Sequence, residues 1–413
     1  MSRLAALARA LVVLTAVAAL AAPGAQAKTR TGPAGEAFYT PPAPLPSATH
    51  GDLIWARKLT GAAVAPVAPG AGASWRVLYR SKAVQPGEKA IAVSGIVQVP
   101  KGKAPKKGWP VITWDHGTTG IADQCAPSRD VAGTPVHPYN AYILPLVTRW
   151  LKAGYAVVRT DYEGLGTPGT HPYLIGMSEA RSTLDIVRAA RELDPRISKD
   201  MIISGHSQGG HAALWAAGQA SWTPELRLRG TVAFAPASHL EDQIPITTVL
   251  TTPGGGLSGL VATIARGLDT FSPQAHFTDV FSDAAAALYP QTLTQCLPEL
   301  SAATSFGGLA PKDLFKPGTD FTAISKGLLA NDPAILLFRS SPVRIEQGAS
   351  DRTVIPLFTD RLVKDLTGSA KQAGAGNVIT YKKYPGVDHA GIVYAAAADA
   401  TAFIKKALAA KGR

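Results

Sequence analysis

The sequence lacks the features of a metal enzyme, a membrane protein or a lipid-anchored protein. The histidine-containing stretches "DHG", "HSQGGH" and "VDH" have no companion ligands of the kind a zinc site requires, so we expect no metal and no cofactor. The N-terminal apolar run from Leu11 to Ala22 is too short to span a bilayer. The chain has only two cysteines, Cys125 and Cys296, and neither lies where a lipid anchor would be attached.

The sequence also lacks the concentrated positive charge of a nucleic-acid-binding protein. It carries 41 basic and 29 acidic residues, a net charge of +12, but the basic residues are spread along the chain. The only tight cluster, Lys101, Lys103, Lys106 and Lys107, lies in a loop with Gly and Pro and indicates a solvated turn. We therefore expect no nucleic-acid partner, but attraction to anionic surfaces such as cell walls or fatty-acid-bearing droplets.

Residues 1–27 have the layout of an export signal. Arg3 and Arg9 form a basic start, an apolar run follows, and Ala25-Gln26-Ala27 is a small-x-small cleavage site. The mature chain is expected to begin at Lys28, with a net charge of +10, and the protein is expected to be secreted. An uncleaved membrane anchor is the alternative.

Both cysteines belong to the exported part of the chain. An oxidising compartment favours the pairing of two such thiols, which predicts a disulfide between Cys125 and Cys296. Two buried free thiols are the alternative.

Strand-like and helix-like patterns alternate after an extended N-terminal segment at 28–73. The sequence predicts strands at 74–80, 90–99, 111–114, 155–159, 201–204 and 231–235. It predicts helices at 141–153, 181–193 and 208–220. Strands separated by helices of this size indicate βαβ units, so the fold class is α/β with a mainly parallel sheet.

The alternation stops at residue 238 and resumes at 335. Because so long a loop without its own structure is improbable, residues 238–334 are interpreted as an inserted, mostly helical cap between two core parts, 74–237 and 335–413. Within it, Leu257, Leu260, Val261, Ile264 and Leu268 recur at near-helical spacing. The second core part is predicted to contain strands at 335–338, 343–347 and 377–384 and a helix at 390–408.

The stretch "SGHSQGG", residues 204–210, contains a candidate nucleophile. Gly-x-Ser-x-Gly alone is weak in a chain with 40 glycines. Here, however, Ser207 lies between a predicted strand and an Ala-rich helix, the setting in which flanking glycines allow a strained turn that exposes the hydroxyl. We therefore interpret Ser207 as the nucleophile.

A serine nucleophile requires a histidine base and an acid that orients it. In this sheet architecture the order along the chain is serine, acid, histidine. His389, in "YPGVDHAGI", lies between the last strand and the last helix and is the predicted base. His211 would point away from the serine along the same helix, and His239 and His276 belong to the insertion.

The predicted acid is Asp351, in the loop "GASD" after the strand at 343–347. Glu346 is still on that strand. Asp388 adjoins His389, a spacing that seldom lets a carboxylate reach its neighbour's Nδ1, but it remains an alternative.

The developing negative charge needs prearranged donors. One is predicted to be the backbone N–H of Gln208, directly after the nucleophile. The other is expected from "HGTTG", after the strand at 111–114, with Thr118 as the first choice and Thr119 behind it. An ordinary glycine turn is the alternative for this loop.

These residues resemble the secretory lipase family of the α/β-hydrolase superfamily, the yeast lipase A type and its actinobacterial relatives. The resemblance rests on "GHSQGG", "DYEGLG", "QCAPS", "GASD" and "DHA", and it covers most of the mature chain. It implies an α/β-hydrolase fold, a triad of Ser207, Asp351 and His389, and a helical insertion that acts as a lid. It further implies that Cys125, beside the oxyanion loop, pairs with Cys296 in the lid. The threonines of "HGTTG" depart from the yeast members, which have an aspartate near the oxyanion position.

The resemblance implies a secreted triacylglycerol lipase that works through an acyl-enzyme, on an ester or lipid substrate at a lipid–water interface. A short-chain carboxylesterase, an acyltransferase or a serine peptidase could use the same triad, because the fold and triad do not determine the acyl acceptor. A hydrolase-like binding protein is the non-enzymatic alternative, which three correctly ordered residues disfavour.

Overall fold

The structure is a computed structural model that describes residues 30–46, 49–60, 66–272 and 276–410. The expected export signal at 1–27 lies outside these described residues. Within the described ranges, every helix is too short or too polar to cross a bilayer.

One sheet of nine strands organises the described chain, in the spatial order β1-β2-β3-β5-β4-β6-β7-β8-β9. The strands are β1 Leu53–Lys58, β2 Ala71–Lys82, β3 Ala90–Pro100, β4 Trp109–Thr113, β5 Ala156–Thr160, β6 Ile197–His206, β7 Arg227–Phe234, β8 Val343–Gly348 and β9 Ile379–Tyr384. Strand β2 pairs antiparallel with both β1 and β3, and β3 pairs antiparallel with β5. The remaining pairs, from β5–β4 to β8–β9, are parallel. The predicted α/β class with a mainly parallel sheet is confirmed.

Thirteen α-helices connect and cover the strands in the described part of the chain. They are α1 His137–Ala141, α2 Leu144–Lys152, α3 Gly176–Leu193, α4 Gln208–Gly218, α5 Ile244–Thr247, α6 Gly256–Phe271, α7 Phe277–Val280, α8 Asp283–Leu288, α9 Leu297–Leu300, α10 Thr322–Ala330, α11 Pro356–Gln372, α12 Gly391–Ala395 and α13 Ala397–Ala409. The helix predicted at 141–153 corresponds to α2, which begins three residues later, at Leu144, with Pro145 in its first turn; the separate short helix α1 ends at Ala141.

The central strands are buried on both faces, as expected for parallel strands between helices. Every residue of β5, "AVVRT", is buried. On one face the apolar core joins the sheet to α3, α4 and α11. On the other face it joins the sheet to α2, α12 and α13. This layering leaves the carboxyl ends of the strands free to carry the loops of a site.

The segment between β7 and β8 contains α5 to α10 and has its own apolar cluster. Aromatic side chains of α7 and the following turns form its centre, including Phe277, Phe281, Tyr289 and Phe306. Ile175, which precedes α3, packs into the same cluster and joins it to the sheet layer.

Two sequence interpretations of strands differ from the structure. The predicted strand at 335–338 is wrong: Leu336 and Phe338 are buried in alternation, but against α4 and α11 after a 3-10 turn at Pro333–Ile335 rather than in the sheet. Conversely, β1 lies inside the segment predicted to be extended at 28–73, where Ile54 and other apolar side chains pack against a 3-10 turn at Gly35–Tyr39.

Candidate active site

The candidate nucleophile lies in a sharp turn between β6 and α4. Ser207 has φ +60°, a conformation that is costly for a residue with a side chain. Its flanking glycines make the turn possible: a Cβ on Gly205 would lie 2.0 Å from the Gly209 carbonyl oxygen, and one on Gly209 would lie 1.8 Å from the Asp115 carbonyl oxygen. Only glycine fits at both positions, which accounts for the Gly-x-Ser-x-Gly motif around Ser207.

The backbone of Ser207 is tied to the neighbouring strand and helix. Its N–H donates to the Phe234 carbonyl at 2.9 Å, and its carbonyl accepts from the N–H groups of His211 and Ala237 at 3.1 and 3.2 Å. The side chain lines a cavity of about 830 Å³, whose walls also include His389 and Thr118. Ser207 is thus held rigidly with its side chain at an accessible cavity.

The predicted base and acid are hydrogen-bonded to each other. The Nδ1 atom of His389 lies 2.7 Å from Oδ2 of Asp351. The Asp351 carboxylate is buried, and its Oδ1 accepts from the N–H groups of Thr353 and Val354 at 2.8 and 2.9 Å. Because a carboxylate only accepts, His389 donates through Nδ1, which leaves the lone pair of Nε2 free to take a proton.

The alternative acids bind elsewhere. Oδ1 of Asp388 accepts from the Gly391 N–H at 2.8 Å, at the start of α12. Glu346 accepts from Arg344 at 2.8 Å, and burial raises its pKa to about 7 although the Arg344 charge opposes this change. The structure therefore places Asp351, rather than either alternative, against His389.

The other histidines considered from the sequence are engaged away from Ser207. His211 lies 2.7 Å from buried Glu179 through Nδ1, and His239 lies 3.1 Å from Asp365 through Nε2. His276 is exposed at the start of α7.

The predicted oxyanion donors lie on two elements that meet at the cavity. Gln208 is the first residue of α4, where a backbone N–H has no acceptor within the helix. Thr118 and Gly117 line the cavity, and the Thr118 hydroxyl lies 2.5 Å from that of Tyr173. The side chain of Thr119 is fully buried, and its carbonyl accepts from the Leu297 N–H at 2.9 Å. Thr118 thus lies on the cavity side of this loop, and Thr119 lies on its buried side.

The one aspartate of this loop points elsewhere. The Asp115 carboxyl is buried and accepts from the Thr183 hydroxyl at 2.8 Å. Burial raises its pKa well above the usual range, although the hydrogen bond from Thr183 opposes this.

The structure contains the predicted disulfide between Cys125 and Cys296. It joins the 3-10 turn at Asp123–Cys125, which follows the predicted oxyanion loop, to Cys296 just before α9, across 171 residues of sequence. Gly120 lies between the two, with φ +128°, and a Cβ there would lie 2.8 Å from the Cys125 sulfur. The disulfide and the Thr119–Leu297 hydrogen bond therefore hold this loop in place from behind.

A buried polar network below the nucleophile was missed by sequence reasoning. The Gln208 amide donates to Oε1 of Glu179 and to Nε2 of His171, each at 2.9 Å. His171 donates through Nδ1 to the Glu163 carbonyl, and burial lowers its pKa to about 3, so its ring stays neutral. The charge of Glu179 raises the pKa of His211 against the effect of burial. No sequence spacing marks these residues, since they come from three separate segments.

Within the described residues, no three His, Cys, Asp or Glu side chains gather as a metal-binding group. The cavity and its surroundings present the hydroxyl, imidazole, carboxylate and backbone N–H groups just described. A serine next to an oriented imidazole can be activated for attack on a carbonyl carbon.

Comparison with known protein families shows which family the chain belongs to. The family model described as "Secretory lipase" matches residues 141–412, well over half of the sequence. The chain belongs to the secretory lipase family. The matched range includes Ser207, Asp351 and His389.

Two fungal members of the secretory lipase family illustrate the similarity. The chain is 28% identical to Lipase 2 of Candida albicans over 273 residues, which are 63% of this chain and 56% of that protein. It is 24% identical to a secreted triacylglycerol lipase of Malassezia furfur over 316 residues, 75% of this chain and 63% of that protein. The chain thus spans between half and two thirds of the length of these relatives.

Solved structures show that this member of the secretory lipase family has the α/β-hydrolase fold. Candida antarctica lipase A in its closed state superposes with a TM-score of 0.74 at 23% identity, covering 90% of this chain and 85% of that one. The rice cell wall degrading esterase LipA of Xanthomonas oryzae superposes with a TM-score of 0.64 at 22% identity, covering 86% and 97% of the two chains.

Proposed function

We propose that the protein is a secreted serine hydrolase that cleaves carboxylic ester bonds of acylglycerols. The observation that carries the proposal is the 2.7 Å contact between His389 Nδ1 and buried Asp351, in the same cavity as the strained Ser207. Family membership and the names of the fungal relatives support the choice of lipid esters. The same family membership and the predicted export signal support a secreted location.

The proposed reaction proceeds in two steps through an acyl-enzyme. Oγ of Ser207 attacks the ester carbonyl while Nε2 of His389 takes its proton, and Asp351 stabilises the resulting imidazolium. The backbone N–H of Gln208 and a donor from the loop at Gly117 and Thr118 bind the oxyanion. His389 then protonates the leaving alcohol. Water, deprotonated by His389, releases the acid and restores the serine.

The walls of the cavity are compatible with a lipid substrate. A volume of about 830 Å³ is within the range of small-molecule sites. Leu257 and Leu260 of α6, Leu297 of α9 and Tyr139 of α1 contribute apolar surface. We propose that residues 238–334 form a cap on the α/β core, at 74–237 and 335–413, and that α6 covers the substrate cavity.

The proposal is tested with purified protein and three classes of substrate: emulsified triglyceride, a soluble short-chain p-nitrophenyl ester and a peptide amide. We expect hydrolysis of both esters, with Ser207→Ala reduced by about 10⁴-fold or more while still folded. Peptide cleavage alone would contradict the proposal.

A short-chain carboxylesterase is the second candidate, favoured by the structural likeness to the Xanthomonas oryzae esterase. Cleavage of the soluble ester without cleavage of the emulsion would support it. Acyl transfer to an added alcohol in preference to water would instead identify an acyltransferase.

A further inference from the structure

The residue before the candidate nucleophile contacts the candidate base. His206 ends β6, is buried, and its ring centroid lies 4.5 Å from that of His389. Nε2 of His206 lies 2.8 Å from the backbone carbonyl oxygen of His389. Nδ1 of His206 lies 2.8 Å from the hydroxyl of Tyr142. His206 therefore bridges the segment between α1 and α2 and the loop that carries His389.

The two contacts fix the tautomer of a neutral His206 ring. A carbonyl oxygen only accepts, so Nε2 carries the hydrogen and donates to His389, while Nδ1 accepts from the Tyr142 hydroxyl. Burial, and next the nearby imidazole of His389, hold the pKa of His206 well below its usual value. The ring is thus neutral, the His389 carbonyl sets its tautomer, and the Tyr142 hydroxyl complements that tautomer by donating to Nδ1.

This bridge connects the base to the strand that delivers the nucleophile. The side chain of His389 is fixed at Nδ1 by Asp351, but its backbone lies in the loop between β9 and α12. The His206 donor attaches that loop to the residue adjacent to Ser207. The bond therefore links the backbone of the base directly to the residue that precedes the serine.

We propose that His206, whose ring is held by the Tyr142 hydroxyl at Nδ1, is a positioning residue that keeps His389 in place relative to Ser207. This inference rests on the proposed function, because it assigns His206 to the same ester hydrolysis. Tyr142 and Tyr155 both pack against the apolar cluster under α2, but only Tyr142 lines the catalytic cavity. Tyr155 therefore offers a matched control for loss of one tyrosine hydroxyl.

Four variants distinguish loss of the His206 hydrogen-bond donor from loss of the volume of its ring. His206→Phe keeps the volume and removes the donor, whereas His206→Gln keeps an N–H at the corresponding distance along the side chain. Tyr142→Phe removes the hydroxyl that donates to Nδ1 of His206 and helps to hold its ring, and Tyr155→Phe is the control. Each is assayed for kcat and KM on the soluble ester and for melting temperature.

We expect His206→Phe to lower kcat by about 10- to 100-fold with KM within about twofold, because the substrate cavity persists while the base is misplaced. His206→Gln should recover kcat to within about fivefold of the wild type. Tyr142→Phe should lower kcat by about three- to tenfold, and Tyr155→Phe should leave kcat unchanged.

A folded His206→Phe with kcat within twofold of the wild type would overturn the inference, as would a His206→Gln variant as impaired as His206→Phe. If His206→Phe fails to fold, Tyr142→Phe decides, and a kcat equal to that of Tyr155→Phe overturns the inference. Full activity of Ser207→Ala would instead refute the proposed function itself, whatever the His206 variants do.

Discussion

At the scale of single residues, the candidate site depends on steric demands that the sequence reveals. At Gly205 and Gly209, neighbouring backbone atoms lie so close that a side chain would not fit. A strand, Gly-x-Ser-x-Gly and a helix in succession therefore predict Ser207 from the sequence. Asp351 and His389 could also be predicted, because chain order and loop position leave few candidates.

The acid provides the first prediction. Asp351→Asn should lower kcat by about 10³-fold, since an amide in place of the carboxylate no longer stabilises the imidazolium or the correct tautomer of His389. Asp388→Asn is the control and should stay within about threefold of the wild type, because its side-chain oxygen still accepts from Gly391. The measurement is kcat on a soluble ester, with KM determined alongside. The reverse ranking of the two variants would show that the acid has been assigned wrongly.

The polar residues under the nucleophile mark the limit of sequence reasoning at this scale. Glu179, His171 and His211 meet only because α3, α4 and the loop before α3 pack together. Nothing in local spacing distinguishes them from surface polar residues. The same holds for His206, whose partners Tyr142 and His389 are 64 and 183 residues away in sequence.

At the scale of elements, the sheet could be predicted better than its edges. Each of the central strands β4 to β7 contains a short apolar run, and each run corresponds to a predicted strand, although β6 and β7 begin four residues before the predicted start. Edge strand β1 was missed because its pattern lies in a Pro- and Ala-rich region. The segment at 335–338 alternates like a strand, but its buried residues face helices, and alternation alone does not identify the partner.

The disulfide provides a prediction about an element, the 3-10 turn at Asp123–Cys125 that follows the predicted oxyanion loop. Thiol titration of denatured, unreduced protein should find no free thiol. The pair Cys125→Ala and Cys296→Ala should lose about 2 to 5 kcal/mol of unfolding free energy, because a long loop is no longer closed. The loss is measured by denaturant titration, with the reduced wild type as the control. Two free thiols in the unreduced wild type would contradict the pairing.

Helix α6 provides a prediction about the proposed cap. Leu257 is 38% exposed and lines the cavity, whereas Leu293 is 46% exposed and lies outside it. If α6 contacts lipid, Leu257→Glu should lower hydrolysis of emulsified triglyceride at least about fivefold more than hydrolysis of a soluble ester, since a charge opposes insertion. Leu293→Glu is the matched control and should affect neither substrate. Equal loss on both substrates would show that α6 is a fixed wall.

At the scale of the whole molecule, the net charge, +12 for the full sequence and +10 expected for the mature chain, is predicted to influence the surfaces that the protein approaches. We expect the rate on triglyceride emulsions that contain free fatty acid to fall several-fold between about 20 mM and 300 mM salt, because ions screen the attraction. Zwitterionic emulsions are the control. Equal salt dependence on the two emulsions would show that the overall charge does not recruit the protein.

The central claim is that Ser207 is the nucleophile of an ester-cleaving triad, and covalent labelling of the whole protein tests it most directly. A fluorophosphonate probe followed by peptide mapping should modify Ser207 stoichiometrically in the wild type. His389→Ala should react far more slowly, and Ser207→Ala should not react. Labelling of a different residue, or undiminished labelling of folded Ser207→Ala, would contradict the account.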